Sequence, residues 1–132
     1  MYQVMVVDDE PMAASLIVNI IKRKYSNFDI MGTAYDGEEA LELMEKKGEP
    51  DVLITDIQMP VMNGLKLVEE TKKRYPEVLS VIVSGYQEFE YAKQAIAFGV
   101  CDYILKPIVP SEFAKLITKI EEKLRQKYYK ER

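Results

Sequence analysis

The sequence of 132 residues contains no histidine, no tryptophan and a single cysteine, Cys101. Without histidine the chain cannot form a Ser-His-Asp or Cys-His catalytic group, and most zinc sites are excluded as well. Any chemistry must therefore depend on carboxylates, hydroxyls, lysine and a hard metal ion. One cysteine cannot form an intramolecular disulfide, which is typical of a reducing cytoplasm, and Cys101 is predicted to be a small buried residue near a strand.

Long apolar runs and an excess of positive charge are also missing. No stretch of about 18 apolar residues occurs, so no membrane span is expected. The first residues, MYQVMVVDDE, have no basic segment before their apolar run, which argues against a secretory signal. The net charge is −4 and the pI about 5.0, whereas binding to a phosphate backbone needs a basic face. We expect a cytoplasmic protein without direct nucleic-acid contact from this segment.

Short apolar runs alternate five times with amphipathic stretches in a chain that is 48% hydrophobic and 30% charged. This composition is typical of one globular domain. Several runs are rich in Val and Ile without alternation, as expected for strands covered on both faces. The pattern predicts an α/β fold, a (βα)5 doubly wound parallel sheet. The predicted strands are Val4–Val7, Ile30–Ala34, Val52–Thr55, Val78–Val83 and Tyr103–Leu105.

The stretches between these runs have helical spacing. The second helix is predicted to be capped by Asp36, with Glu39 three residues later, and the last helix by Ser111. The third should stop before Pro76, and the fourth should end at Gly99. The predicted core-facing residues are Ala13, Leu16, Ile17, Ile20 and Ile21 in the first helix, Ala40, Leu43 and Met44 in the second, Leu65 and Val68 in the third, Ala92, Ala95 and Ile96 in the fourth, and Phe113, Leu116, Ile117, Ile120 and Leu124 in the last.

The end of the chain, EEKLRQKYYKER, is densely charged. We predict one domain over residues 1–122. Residues 123–132 are interpreted either as the solvated end of the last helix or as the start of a linker to a missing output domain. The sequence alone leaves both interpretations open.

Polar residues follow four of the five predicted strands. Asp8, Asp9 and Glu10 come directly after the first strand, Asp56 after the third, Ser84 at the end of the fourth and Lys106 after the fifth. In an open α/β sheet, ligands bind outside the carboxyl ends of the strands, and all these residues share that edge. Each of them alone is common in turns and helix caps, but their joint placement predicts a functional site.

The chemistry of this set indicates phosphoryl transfer. Neighbouring carboxylates repel one another, and a divalent cation removes the conflict. Oxygen ligands with open positions suit Mg²⁺, which keeps waters and shares a substrate phosphate. Lys106 adds a positive charge that can reach a carboxylate or a phosphoryl oxygen, and Ser84 can donate a hydrogen bond. Asp56 is then a candidate carboxylate nucleophile.

Four segments carry a family resemblance, namely VVDDEP at 6–11, DVLITDIQMPVMNG at 51–64, VSGY at 83–86 and YILKP at 103–107. Over residues 3 to about 121 the sequence resembles the receiver domains of two-component response regulators. The run SGYQEFEYAKQAIAFGVCDYILKP is most similar to receivers that precede AraC-type DNA-binding domains. The resemblance implies a flavodoxin-like fold with strand order 2-1-3-4-5.

The resemblance also implies roles for the acidic residues and their neighbours. Asp56 matches the phospho-acceptor, and Asp9 the carboxylate that binds Mg²⁺ directly. Asp8 matches a neighbour that acts on the metal through water, and Gln58 the residue whose backbone carbonyl is a metal ligand. Gln58 and Tyr86 stand where family members steer water towards the acyl phosphate. Tyr86 is expected either to shield that bond or simply to pack on its loop.

Further residues match the switch of the family. Ser84 matches the hydroxyl residue that binds the phosphoryl group, Lys106 the lysine that pairs with it, and Tyr103 the aromatic side chain that turns inward when Ser84 moves. Pro107 stands where the family has a proline that is usually in cis linkage. Gly64 fits the loop after the acceptor, where glycine allows backbone angles that other residues avoid.

The implied function is that of a signalling domain and not of an enzyme in the ordinary sense. A sensor histidine kinase would supply a phosphohistidine, and Asp56 would take its phosphoryl group in a Mg²⁺-dependent step. The face formed by the fourth helix, fifth strand and fifth helix would then shift and favour a homodimer. The expected output is control of transcription through an AraC-type domain absent from this chain. The resemblance therefore favours a receiver excised from a longer protein over a stand-alone receiver.

Three other functions fit the sequence less well. Aspartate-nucleophile phosphatases of the haloacid-dehalogenase type need a second Asp two residues after the nucleophile, and Gln58 stands there. Pseudo-receivers usually lose the acidic pair or the lysine, whereas Asp8, Asp9 and Lys106 are all present. A P-loop enzyme is excluded because no G-x-x-x-x-G-K-[ST] segment occurs.

Overall fold

Five parallel strands form one sheet in the order β2-β1-β3-β4-β5 in a computed structural model, which describes residues 1–85, 89–97 and 99–130. The order confirms the predicted flavodoxin-like topology. Most strands begin or end one or two residues away from the predicted bounds. They are β1 Tyr2–Val7, β2 Phe28–Ala34, β3 Val52–Thr55, β4 Leu79–Ser84 and β5 Asp102–Leu105.

Helices alternate with the strands and cover both faces of the sheet. The Asp36 side chain accepts a hydrogen bond from the Glu39 backbone N–H at 2.8 Å, so the predicted cap of the second helix is confirmed. The third helix begins after a second cap, in which Asn63 accepts from the backbone of Lys66 at 2.9 Å. The helices are α1 Pro11–Lys24, α2 Gly37–Lys47, α3 Gly64–Arg74, α4 Phe89–Ala97 and α5 Pro110–Lys130.

The central strands are buried on both faces, which explains their unbroken apolar runs. Val4 and Val6 of β1 belong to a core shared with α1 and α5. Met5 and Val7 point the other way, into a second core with residues of α2 and α3. A third cluster, of Ile57, Leu65, Val68, Ile82 and Ala95, lies towards α4. Because successive strand residues point to opposite faces, neither side of β1 meets water.

Two helices bury a slightly different face from the one predicted. In α1 the buried residues are Ala14, Ile17 and Ile21, whereas Leu16, a predicted core residue, is 51% exposed. The predicted spacing of three and four residues is correct, but the buried stripe of α1 lies one residue further round the helix than predicted. In α4, Ala95 is buried but the predicted core residue Ile96 is 71% exposed. The side chain of Ala92 lies outside the described residues.

The ends of the last two helices correct one prediction and extend another. Ser111 was expected to cap α5, but the helix already begins at Pro110, so Ser111 lies in its first turn. Proline suits the first turn because it has no N–H to leave unsatisfied. Gly99, with a φ of 76°, follows the fourth helix as expected. At its far end α5 continues through the charged tail to Lys130, and the domain boundary near residue 122 stays a prediction.

Among the helices of the described ranges, none combines the length and the hydropathy that crossing a membrane requires. The longest, α5, is amphipathic, with its apolar stripe in the core and its charged residues outside. The prediction of no membrane span agrees with this finding.

Candidate functional site

Three carboxylates converge at the carboxyl edge of the two central strands. Carboxylate oxygens of Asp8, Asp9 and Asp56 lie within 4.8 Å of one another. The register of the sheet brings them together, because Val7 pairs with Thr55 and the residues that follow each of them leave the sheet side by side. Asp8 and Asp56 are buried, whereas Asp9 is exposed. The site therefore has an open side towards solvent, next to Asp9.

Lys106 supplies the positive charge of the site. Its ammonium nitrogen lies 2.8 Å from Asp8 Oδ2 and 3.3 Å from Asp56 Oδ2. Burial alone would lower the pKa of Lys106. The hydrogen bond to Asp8 and the charges of Asp56 and Asp8 outweigh burial and raise the pKa above its ordinary value. Lys106 therefore stays protonated and bridges the two buried carboxylates.

Asp56 lies in the least favourable surroundings for a negative charge. Burial raises the pKa of its carboxyl above the ordinary value, and the charge of Asp8 raises it further. The Lys106 ammonium and the Ile57 backbone N–H, which donates to Asp56 Oδ1 at 2.7 Å, oppose this but do not cancel it. Asp56 is thus a buried carboxylate that one lysine compensates only in part.

The acidic residues fit a hard divalent cation. All the ligand atoms that these three residues offer are oxygens. They lie within 4.8 Å of one another, so one ion could contact more than one of them. Asp8 already uses both oxygens, since Oδ1 accepts from the Glu10 N–H at 3.0 Å and Oδ2 from Lys106. Asp9 keeps its accessible side. The predicted division of labour, in which Asp9 binds the metal directly, stays a prediction.

The predicted switch residues lie at the same edge of the sheet. Ser84 is fully buried at the end of β4, and its carbonyl accepts a hydrogen bond of 2.8 Å from the backbone of Lys106. Tyr103 lies opposite Ile82 on the edge strand β5, is half-buried, and packs against the third core cluster. The positions agree with the sequence prediction, and the roles of both residues stay predictions.

Gly64 is needed in the loop after Asp56 for a reason other than the one predicted. Its φ is not positive, so the expectation of unusual backbone angles was wrong. A Cβ at this position would overlap the carbonyl of Asp56 and lie 2.9 Å from the Ile57 Cα. The glycine lets α3 approach Asp56 closely. The Gly64 N–H donates a hydrogen bond to the Ile57 carbonyl at 2.7 Å. The strained backbone of this loop is at Val61, with a φ of 68°.

The remaining predicted residues have mixed outcomes. The Lys106–Pro107 peptide bond is cis, as the resemblance implied. Gln58 is exposed two residues after Asp56, and the role of its carbonyl stays a prediction. Tyr86 lies outside the described residues. The pattern did not single out Thr55, whose hydroxyl donates to the Asp56 carbonyl at 2.9 Å, because a threonine at a strand end carries no distinctive signal.

A comparison with protein families matches residues 4–118 to the response regulator receiver domain. The chain is 36% identical over 122 residues to the transcriptional regulatory protein YesN of Bacillus subtilis, covering 92% of this chain and 32% of YesN. It is 38% identical over 108 residues to the transcriptional regulatory protein HptR of Staphylococcus aureus, covering 82% of this chain and 42% of HptR. The chain thus spans less than half the length of these curated relatives.

Solved structures agree with this family. The receiver domain of AraT, a response regulator from Geobacillus stearothermophilus, superposes with a TM-score of 0.87 at 37% identity, covering 96% of this chain and 98% of that one. A DNA-binding response regulator of the LuxR family from Staphylococcus aureus gives a TM-score of 0.82 at 28% identity, covering 91% and 98%.

The sheet with an acidic cluster and a lysine at its carboxyl edge defines a receiver-type signalling domain, not a classical enzyme. The chain belongs to the response regulator receiver domain family of two-component systems, and its relatives include transcriptional regulators. Receiver domains bind Mg²⁺ at an acidic site and partner with sensor histidine kinases.

The buried charge of Asp56 predicts a stability change in metal-free protein. We expect Asp56→Asn to raise the free energy of unfolding at neutral pH by roughly 1 kcal/mol, because it removes a charge that the site disfavours. The gain should vanish below the ordinary pKa of 3.8, where the carboxyl is protonated in the folded and unfolded states alike. Urea unfolding with a chelator, across a pH series, measures this.

Asp9→Asn is the matched control, because Asp9 is exposed and its charge is already solvated. It should change the stability of the metal-free protein by less than about 0.5 kcal/mol. If Asp56→Asn were no more stable than the parent at neutral pH, the compensation of Asp56 by Lys106 would be complete and this account of the site would be wrong.

Proposed function

We propose that this receiver domain takes a phosphoryl group from a phosphohistidine of a sensor histidine kinase onto Asp56. The observation that carries the proposal is the convergence of Asp8, Asp9 and Asp56 within 4.8 Å, with Lys106 bridging two of them. The 132 residues contain no histidine, so the phosphohistidine lies outside them. We place this exchange in the cytoplasm, in line with the acidic, cysteine-poor composition.

In the proposed step, an Asp56 carboxylate oxygen attacks the phosphorus atom of the phosphohistidine. The new O–P bond gives an acyl phosphate, and the P–N bond breaks with its electrons going to the imidazole of the donor. Lys106 lies within 3.3 Å of an Asp56 oxygen, so its charge is placed to stabilise the oxygens of the group being transferred. The domain thus catalyses its own phosphorylation and the later loss of the phosphoryl group.

One lysine leaves part of the negative charge of the site uncompensated. Mg²⁺ would fit the site as a second cation. Asp9, Asp56 and the backbone carbonyl of Gln58 would hold it directly, and Asp8 through water. When bound, it would neutralise charge on the carboxylates and on the incoming phosphoryl oxygens. The exposed side next to Asp9 gives both the ion and the donor a path to Asp56.

The phosphoryl group would then change the shape of the domain. Ser84 would move towards it, and Tyr103, at present half-buried beside the third cluster, would turn inward. Lys106 and Ser84 are joined by a backbone hydrogen bond of 2.8 Å, so β4 and β5 would respond together. The acyl phosphate has to bias an equilibrium between two shapes, and a few kcal/mol is enough for this.

The shift of the α4-β5-α5 face is proposed to favour a homodimer and to control transcription through an output domain outside this chain. The two curated relatives described above are transcriptional regulators, and the match covers less than half of each of them. The sequence favours an AraC-type DNA-binding domain, although the similar structures include a LuxR-family regulator. The acidic receiver itself would make no direct contact with DNA.

Phosphorylation is tested by mass spectrometry after incubation with acetyl phosphate and Mg²⁺. We expect one phosphoryl group on the parent protein and none on Asp56→Asn, because the substitution removes the proposed acceptor carboxylate. Asp29→Asn, at an exposed position on β2, is the control and should be labelled like the parent. A folded parent protein that never gains a phosphoryl group on Asp56 would refute the proposed function.

Dimerisation is tested by sedimentation with and without beryllofluoride, which mimics the phosphoryl group. We expect the mimic to increase the dimerisation constant of the parent at least about tenfold, the effect of roughly 1.4 kcal/mol in the dimerisation free energy. Asp56→Asn should not respond, because it lacks the carboxylate to which the mimic binds. An unchanged mass at high protein concentration would exclude dimerisation as the output step.

A further inference from the structure

The last helix extends well beyond the part of the chain that matches the family. The match ends at residue 118, whereas α5 continues to Lys130. Its later turns are not merely solvated, because Leu124 is fully buried in the core shared with α1 and β1. Asn27 Nδ2, in the turn before β2, donates to Glu121 Oε2 at 3.0 Å. These contacts hold the helix against the amino edge of the sheet, opposite the acidic site.

Tyr128 makes the outermost contacts of α5. Its hydroxyl donates a hydrogen bond to Asp51 Oδ1, and its ring stacks on Tyr2 of β1 with centroids 5.9 Å apart and planes at 19°. The next residue, Tyr129, is 80% exposed. Two adjacent tyrosines on one helix thus have opposite surroundings, one held to the sheet and the other in solvent.

Asp51 joins this contact to three strands. Its Oδ2 accepts from the Gln3 N–H at 2.7 Å, and its own N–H donates to the Gln3 carbonyl at 2.8 Å. Its carbonyl accepts from the Leu79 N–H at 3.0 Å. Asp51 thus links the starts of β1, β3 and β4. Its other carboxylate oxygen, Oδ1, accepts the hydrogen bond from Tyr128 at the end of α5.

A lysine makes a further contact at the end of the helix. Lys127 Nζ donates to the Glu77 carbonyl, in the turn before β4, at 3.2 Å. The same ammonium lies 5.4 Å from the centre of the Tyr128 ring, within the range of a cation–π contact. Because the end of the helix is held by two side chains, Lys127 and Tyr128, fraying of its last turns would break several contacts at once.

We propose that Tyr2, Asp51, Lys127 and Tyr128 form a latch that fixes the end of α5 to the amino edge of the sheet. The helix starts four residues after Lys106 and is about 31 Å long, at 1.5 Å per residue. It therefore extends from the carboxyl edge of the sheet, which carries the acidic site, to the amino edge, where Lys127 and Tyr128 hold it. The latch makes residues 123–130 part of the receiver fold and fixes the direction in which any following chain leaves it. In longer relatives, α5 would then be a rigid connection and not the start of a flexible linker.

Hydrogen exchange of the 132-residue chain, without metal or phosphoryl mimic, tests the latch independently of the proposed function. In the parent, amides of residues 125–130 should be protected. Tyr128→Phe keeps the ring but removes the hydroxyl, and should speed their exchange about fivefold or more. Residues 113–120 should be unchanged. Tyr129→Phe is the matched control and should exchange like the parent, because its hydroxyl lies in solvent.

Asp51→Asn provides a second line of evidence, because it weakens the same hydrogen bond from the opposite partner. If the latch exists, Asp51→Asn and Tyr128→Phe combined should speed exchange at 125–130 less than the product of their separate effects. Unprotected amides at 125–130 in the parent would overturn the proposal. So would equal exchange in Tyr128→Phe and Tyr129→Phe, or an equal acceleration along the whole of α5, which would indicate general destabilisation.

Discussion

Crowding of negative charge at the ends of β1 and β3 is the constraint on which the rest of this site depends. Asp8 and Asp56 are buried side by side, and burial with the charge of Asp8 raises the pKa of Asp56. Lys106 bridges them, and its own pKa is raised as a result. One lysine for two buried carboxylates and the exposed Asp9 leaves the site short of positive charge. We propose that a divalent ion compensates this deficit and would also neutralise charge on an incoming phosphoryl group.

The fold makes this arrangement possible through backbone register and close approach. Parallel pairing of Val7 with Thr55 brings the two acidic strand ends together, and the backbone bond from Lys106 to Ser84 fixes the lysine at the same edge. Gly64 lets α3 pack directly on the carbonyl of Asp56, which a side chain at this position would prevent. At the opposite edge, Asp51 connects the starts of β1, β3 and β4 to the end of α5. Both ends of the central strands are thereby fixed.

Apolar runs and strand-end polar residues are local signals, and they predicted the five alternating units and the edge at which the described site residues lie. The strand order followed only from the family resemblance. The sequence predictions failed where a residue distant in sequence determines the local structure. Leu16 belongs to the right helical spacing, but α1 turns Ala14 to the core instead. The need for Gly64 comes from the Asp56 carbonyl, which no backbone-angle argument reveals. The charged tail gave no hint that Tyr128 meets Asp51, since a contact 77 residues apart leaves no periodicity.

The central claim, that the acidic cluster is a divalent-metal site centred on Asp9 and Asp56, is tested most directly by the Mg²⁺ dependence of the unfolding free energy at constant ionic strength. The parent should gain about 2.7 kcal/mol at a free Mg²⁺ concentration 100 times its dissociation constant, as expected for binding to the folded state alone. Asp9→Asn should lose most of this gain, and Asp29→Asn, outside the site, should keep it. If the stability of the parent did not change with Mg²⁺, or if Asp9→Asn followed the parent, the cluster would not be the metal site described above.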